Sequence, residues 1–253
     1  MKNDTLFTLL SSLLLLVVVF TTHASQSDIN QETQYYADIF LGNDFAQQRT
    51  AMERLVWAGI SSPTVYEPLA DKLAGSKESK NKAEVEKASW YAKALALSGN
   101  QKYRPLLQDI RENAKSSKLR KYTKQALIRL DKYAAWNPVI SQNLVSVPTG
   151  SLEQQRILNM LSATDLELTR VGAKRVYYEH SADPVVVAAA VRRLEKEIAI
   201  QGKDDIRIDT VAWLIKGIGI SANLDYKGLL ENIASTHSSS KVRKHAKKAL
   251  KNY

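Results

Sequence analysis

Two stretches of the sequence decide the fold: WYAKALALSGNQKYRPLLQDIRENAKSSKLRKYTKQAL at residues 90–127 and WLIKGIGISANLDYKGLLENIASTHSSSKVRKHAKKAL at residues 213–250. They align without a gap at a shift of 123 positions. Identical residues fill many paired positions, among them Trp90 and Trp213, Tyr103 and Tyr226, Lys118 and Lys241, and Leu127 and Leu250. Such self-similarity indicates a chain built from repeated units.

The match continues upstream at a shift of 121 positions. The pairs are Asp44 and Asp165, Arg49 and Arg170, Arg54 and Arg175, Pro63 and Pro184, Val65 and Val186, and Leu73 and Leu194. The chain therefore divides into two homologous halves, at about 44–133 and 165–253.

Each half divides into segments with the 3.6-residue spacing of amphipathic helices, and the small number of glycines (10) and prolines (6) also favours helices. The predicted helices are 44–58, 63–75, 81–98, 102–113, 118–133, 165–179, 184–199, 204–221, 226–235 and 240–252, with a capping helix at 28–41. Short connections make neighbouring helices antiparallel. The sequence thus predicts helical hairpins with a period near 37 residues.

Several helix ends carry local signals. Ser62 and Asp183 each precede a proline, and Ser116 and Ser239 occupy equivalent capping positions. Gly75, Gly99 and Gly202 lie where helices are expected to stop. An uncharged stretch at 135–152, with Pro138, Pro148 and Gly150, predicts a joint between a first part at 25–134 and a second part at 153–253.

The segment from Lys241 to Leu250 resembles the V-R-x-x-A-x-x-A-L core of a HEAT repeat, through Val242-Arg243, Ala246 and Ala249-Leu250. Leu119-Arg120 through Ala126-Leu127 resembles it more loosely, with Tyr122 and Thr123 as departures. The resemblance implies an all-α, right-handed superhelix (an α-solenoid) of five to six hairpins, with the second helix of each hairpin on a concave face. It implies no particular activity.

Residues 1–24 are typical of a secretory signal peptide. Lys2 supplies a positive end, residues 6–20 are apolar or small, and Thr22-His23-Ala24 predicts cleavage after Ala24. The alternative is a retained anchor, although 15 residues fall short of the roughly 20 that cross a bilayer. The signal peptide predicts a periplasmic or secreted protein, and the absence of cysteine, which removes any need for disulfide chemistry, suits the bacterial periplasm.

No catalytic, cofactor or metal motif stands out. The absence of cysteine excludes thiol nucleophiles and cysteine-ligated metals, and no GxSxG or glycine-rich phosphate loop occurs. His180, His237 and His245 are scattered, which favours solvated or capping roles. Asp204, Asp205 and Asp209 suit the start of a helix better than a cation site.

The aromatic residues offer weaker signals. Trp90 and Trp213 occupy equivalent positions, so a shared packing role is the favoured interpretation. Trp57, Tyr177 and Tyr178 are better candidates for a partner surface. Trp136, in the uncharged joint, is either a buried plug or an exposed anchor.

The net charge of +10 is concentrated in two equivalent helices. Segment 118–133 carries +5 and segment 240–253 carries +6, whereas the helices expected on the concave face sum to about +1. Two interpretations stay open, a solvated face and a patch that contacts an anion or partner. The candidate contacts are Lys118, Arg120, Lys121, Lys124, Lys241, Arg243, Lys244 and Lys247.

Three functional hypotheses follow. The first is an exported, non-catalytic scaffold or adaptor that binds an unknown protein in the bacterial envelope. The second is a polyanion-binding protein that docks on lipopolysaccharide, anionic lipid or DNA through the two basic helices. Nucleic acid is the least favoured ligand because the expected groove is nearly neutral. The third, by analogy, is a HEAT-like enzyme related to DNA glycosylases or bilin lyases.

Overall fold

The computed structural model describes residues 26–144, 151–200 and 204–253. This part of the chain is all-α, as the sequence predicts. Its α-helices are α1 Gln26–Leu41, α2 Phe45–Arg54, α3 Pro63–Gly75, α4 Lys82–Leu97, α5 Arg104–Asn113, α6 Ser117–Ile140, α7 Leu152–Ser162, α8 Leu166–Glu179, α9 Pro184–Ile198, α10 Asp205–Ser221, α11 Lys227–Thr236 and α12 Ser240–Ala249. Short 3-10 turns extend α2 and α12 and precede α5 and α11.

The helix ends repeat between the halves. Asp44 and Asp165 each accept two backbone N–H bonds at the start of α2 and α8. Ser116 and Ser239 each accept one backbone N–H bond at the start of α6 and α12. Each capping oxygen satisfies N–H groups that a helix start leaves unpaired. Ser62 is different, since its side chain makes no capping bond, so that part of the expectation is wrong.

Neighbouring helices pack in a repeated order. In the first half α1 packs on α3, α3 on α4, and both α4 and α5 on α6; in the second half α7 packs on α8, α8 and α9 on α10, and both α10 and α11 on α12. The buried side chains of both halves form one hydrophobic cluster.

A basic side chain binds the carbonyl groups at the end of α1, and another binds those at the end of α7. The ammonium of Lys72, on α3, donates to the carbonyls of Phe40 (2.6 Å) and Gly42 (2.5 Å) after α1. Arg193, on α9, donates to the carbonyls of Leu161 (2.9 Å) and Ala163 (2.5 Å) after α7. The two donors and the two pairs of acceptors, Lys72 and Arg193, Phe40 and Leu161, and Gly42 and Ala163, are each related by the shift of 121. The same tertiary contact therefore occurs at both sets of positions, between residues of different identity.

The first residues of the joint, 135–140, are helical, and this corrects the predicted end of the helix at 133. Helix α6 runs on to Ile140 with Pro138 in its last turn. Buried Asn137 donates to the carbonyls of Leu97 (2.8 Å) and Ser98 (2.9 Å), which end α4. The α6 extension thus rests on the helix ends of the first half.

Two glycines leave the space that the extended end of α6 occupies. Gly59 and Gly99 both have positive φ, at 65° and 61°. A Cβ on Gly99 would lie 2.5 Å from backbone atoms of Tyr133 and Ala134, and a Cβ on Gly59 would lie 2.8 Å from the side chain of Ile140. The expected helix stop at Gly99 is confirmed.

Helix α7 is absent from the predicted helices. Two sequence signals nevertheless indicate this helix: Ser151 is its capping residue, and the shift of 121 aligns α1 with α7.

The signal peptide, Gly202 and residues 145–150 of the joint lie outside the described residues. Among the described helices, none combines the length and apolar character needed to cross a membrane.

Candidate functional site

Two of the eight candidate basic residues have structural roles. The guanidinium of Arg120 donates to the carbonyls of Ala114 (2.5 Å) and Lys115 (3.3 Å) after α5. That of Arg243 donates to the carbonyls of His237 (2.6 Å) and Ser238 (2.9 Å) after α11. Each arginine ties the preceding helix end to its own helix.

A second equivalent pair forms ion pairs within the molecule. Lys118 binds the carboxylate of Glu86, on α4, and Lys241 lies 4.0 Å from that of Asp209, on α10. Glu86 and Asp209 are themselves related by the shift of 123. Hydrogen bonding to the Lys118 ammonium lowers the pKa of the Glu86 carboxyl, although partial burial opposes this.

The other four candidates, Lys121, Lys124, Lys244 and Lys247, are exposed. Within the described ranges their ammonium groups form neither an ion pair nor a hydrogen bond. Lys244 and Lys247 line a shallow depression of about 410 Å³ along α12. The structure thus leaves half of the candidate set available to a ligand.

An aromatic cluster with one exposed and four half-buried residues lies on α8 and α10, and the sequence predicted it only in part. Tyr177 and Tyr178 have ring centroids 5.7 and 5.8 Å from that of Trp213. The ammonium groups of Lys216 and Lys174 lie 3.7 and 5.0 Å from the Trp213 centroid. We call these five residues the Trp213 cluster. Its cation–π and edge-to-face contacts hold the side chains in place.

The first half has a smaller counterpart around Trp90. Lys93 and Arg49 lie 4.4 and 5.2 Å from the centroid of its ring. Both tryptophans are half-buried and pack against the hydrophobic core, so the packing interpretation holds for one side of each ring. The tyrosine pair of the second half corresponds to Val56 and Trp57 in the first. The exposed aromatic surface is therefore larger on the second half.

Trp57 and Trp136 belong to the junction of the halves. The guanidinium of Arg175, on α8, lies 3.9 Å from the ring centroid of Trp57. Trp136 is buried and its indole N–H donates to the carboxylate of Asp165 at 3.0 Å. The buried-plug interpretation of Trp136 is confirmed, and the guanidinium covers the Trp57 ring that we expected at a partner surface.

Three potential metal ligands converge beside this junction. Oxygens of Glu153 and Glu179 and a ring nitrogen of His180 lie within 4.8 Å of one another. The guanidinium of Arg175 is bonded to both carboxylates. Since this cation already supplies the opposing charge, a metal ion would have to displace it. Sequence spacing missed the trio because Glu153 comes from a different helix.

The other two histidines have local roles. Nδ1 of His237 accepts the backbone N–H of Ser239 at 3.0 Å, in the turn before α12. Burial lowers the pKa of His237. Burial, and then the nearby ammonium groups of Lys216, Lys241 and Lys248, lower the pKa of His245. The environment of α12 is therefore electropositive.

One further surface depression lies between α7 and α9. It measures about 450 Å³, and its lining includes Gln155, Asn159, Arg192 and Lys196. Its three cations, Arg192, Arg193 and Lys196, all come from α9, and Arg193 donates to the carbonyls of Leu161 and Ala163 at the end of α7. It has no convergent set of polar groups that would define a substrate.

Comparison with known proteins identifies no family. No family model matches the sequence, and no curated protein matches it. Among solved structures, the chain is similar to that of human deoxyhypusine hydroxylase in complex with glycerol, at 11% identity and a TM-score of 0.34. The match covers 90% of this chain and 98% of that one. A likeness of this size does not extend the enzyme's activity to this chain.

Proposed function

We propose that this chain is an exported, non-catalytic protein with HEAT-like repeats that binds another protein through the Trp213 cluster. The observation that carries the proposal is the cluster itself, in which Tyr178 is 64% exposed beside a half-buried tryptophan and two lysines. Tryptophan and tyrosine dominate the energetic centres of protein interfaces because they bury a large area with few rotatable bonds.

The repeated contacts support a HEAT-like architecture. In the motif at α12, Val242, Ala246 and Ala249 are buried, and Arg243 binds the preceding helix end. Leu119 and Arg120 take the same places on α6. The pattern that carries the resemblance is therefore a packing pattern in both halves. We propose that the hairpins form a right-handed α-solenoid, as HEAT-like repeats imply.

The charge arrangement supports binding rather than catalysis. At the Glu153, Glu179 and His180 trio, the buried Arg175 guanidinium engages both carboxylates. A general base needs a carboxylate that is free to accept a proton from substrate. By contrast, Lys174 and Lys216 flank aromatic rings at the surface, where they suit a partner with acidic side chains.

Site-specific photo-crosslinking tests this function. A photoreactive phenylalanine analogue is placed at Tyr178 and, as a matched control, at Leu224, which is 71% exposed on the connection between α10 and α11. In intact cells, we expect position 178 to give one adduct of defined mass that position 224 does not give. Adduct formation should also weaken in a Lys174→Glu, Lys216→Glu background. No adduct at 178, or the same adducts at both positions, would refute the proposal.

A further inference from the structure

Helix α12 presents a row of lysines on one side. Lys244, Lys247, Lys248 and Lys251 follow Ser240 at spacings of four, three, one and three residues, which places them on one face of a helix. We call these four lysines the terminal basic face. From Lys244 to Lys251 the row is about 10 Å long at 1.5 Å per residue, and the depression of about 410 Å³ runs along it.

This face has no counterbalancing acid. Residues 240–253 contain no Asp or Glu. Within the described residues, the four ammonium groups form neither ion pairs nor hydrogen bonds. Arg243, which also lines the depression, donates to two carbonyls after α11, and these bonds fix its side chain beside the four lysines. The positive charge is therefore concentrated and open to solvent.

The equivalent helix shows that packing does not require all of these cations. Lys244 and Lys247 correspond to Lys121 and Lys124 on α6, whereas Lys248 and Lys251 correspond to Gln125 and Ile128. The buried sides of the two helices still match, since Leu119, Thr123 and Ala126 correspond to Val242, Ala246 and Ala249. Lys248 on α12 and Lys251 in the 3-10 turn that follows it are thus not required by the packing that the two helices share.

We propose that the terminal basic face docks the protein on an anionic phospholipid membrane. Lipid phosphates form a fluid array without fixed spacing, which flexible lysines match as point charges better than they match a defined anion. No aromatic or amide side chain lines the depression, so it lacks the aromatic rings that stack on nucleic acid bases and the amides that read adenine.

The sequence before residue 26, which lies outside the described residues, is consistent with contact between the protein and a membrane. The apolar run at 6–20 predicts a chain that reaches a membrane, both as a signal peptide and as a retained anchor. Cleavage after Ala24 removes this run from the mature chain, so the terminal basic face then provides an electrostatic and reversible attachment by itself. Docking through α12 is independent of the Trp213 cluster and can hold or fail without it.

Vesicle co-sedimentation tests the proposal with the protein as its host produces it. Vesicles of phosphatidylcholine alone are compared with vesicles that also contain phosphatidylglycerol. The test variant reverses the face through Lys244→Glu, Lys247→Glu, Lys248→Glu and Lys251→Glu. The matched control reverses four other exposed lysines, Lys80, Lys82, Lys121 and Lys124. Circular dichroism melts check that both variants fold.

We expect binding to anionic vesicles that falls steeply with salt. The test variant should lose roughly 1,000-fold in affinity, from about 1 kcal/mol for each of its four reversed lysines, while the control keeps most of it. Equal losses in both variants would overturn the proposal, as would equal binding to both kinds of vesicle. Saturation of the face by inorganic phosphate, or preference for duplex DNA over vesicles, would also overturn it.

Discussion

The guanidinium of Arg156, on α7, forms a two-pronged ion pair with the carboxylate of Glu32, on α1, through bonds of 2.9 and 2.6 Å. The side chain of Arg156 is 6% exposed and that of Glu32 is 23% exposed. This pair joins the first helix of one half to the first helix of the other. Its partners are 124 positions apart in sequence.

Removing the acid of this pair should be costly. Glu32→Ala leaves a buried arginine charge without its partner, so we expect a loss of about 3 kcal/mol in the free energy of unfolding. The matched control is Glu53→Ala, which breaks the exposed pair with Arg49 and should cost less than about 1 kcal/mol. Urea unfolding measures both. Equal losses would mean that the buried pair does not hold the halves together.

Gly99 should not tolerate a side chain. Its φ is 61°, and a Cβ would meet the backbone of α6 at 2.5 Å. We expect Gly99→Ala to lose at least about 2 kcal/mol, from left-handed strain and displacement of α6. Gly75→Ala is the control, because nothing lies within 4 Å of a Cβ there. It should be neutral or stabilising by up to about 1 kcal/mol. Thermal melts compare the two, and a neutral Gly99→Ala would contradict the close approach of α6.

The hydrogen bond from Trp136 to Asp165 should increase the stability of the folded protein at acidic pH. Burial by itself raises the pKa of the Asp165 carboxyl, but the Trp136 indole, two backbone N–H groups and Lys132 outweigh it, so the net pKa is lowered. A lowered folded-state pKa stabilises the protein above the unfolded-state value, about 3.9, and this contribution is lost as the pH falls through the folded-state value.

Trp136→Phe removes the indole donor and should raise the pKa of Asp165. Carbon NMR of the carboxyl group measures that pKa, and acid unfolding should begin at a higher pH. Trp213→Phe, a matched change far from Asp165 in sequence, should leave its titration unaltered. A Trp136→Phe protein with an unchanged Asp165 pKa would show that the indole bond contributes nothing.

Export should leave a mature chain that begins at Ser25. Intact mass spectrometry of the protein from a secreting host checks the cleavage predicted after Ala24, which depends on small residues at the cleavage site. Ala24→Leu should block processing and leave the full-length mass. A wild-type chain that keeps Met1 and stays in the cytosol would contradict the prediction.

Local signals account for the helices that the sequence located well. The predicted start of α3 at Pro63 and of α9 at Pro184 is confirmed, as are the caps at Ser116 and Ser239. Each of these signals acts within one turn of backbone, so neighbouring residues suffice to specify it. The end of α6 depends on distant parts of the chain, because Gly59 and Gly99 leave room for the extension and Asn137 of α6 donates to the end of α4.

The candidate site also combines features that local sequence predicts with features that only tertiary packing decides. Composition and repeat register located the basic residues of α6 and α12, but could not separate the capping Arg120 and Arg243 from the free Lys244 and Lys247. That separation depends on where the carbonyls of the preceding helix end. Likewise, register grouped Trp57 with Tyr178, whereas packing placed the guanidinium of Arg175 over Trp57 and left Tyr178 exposed.

By itself, then, the sequence determined the helical class, the two related halves and most helix boundaries, since hydrophobic period and end caps are properties of short segments. Only the tertiary structure decided how α7 meets α1, which cations remain free and which aromatic rings face solvent. Those features depend on side chains brought together over more than a hundred positions, such as Glu32 and Arg156, and no local pattern specifies such a contact.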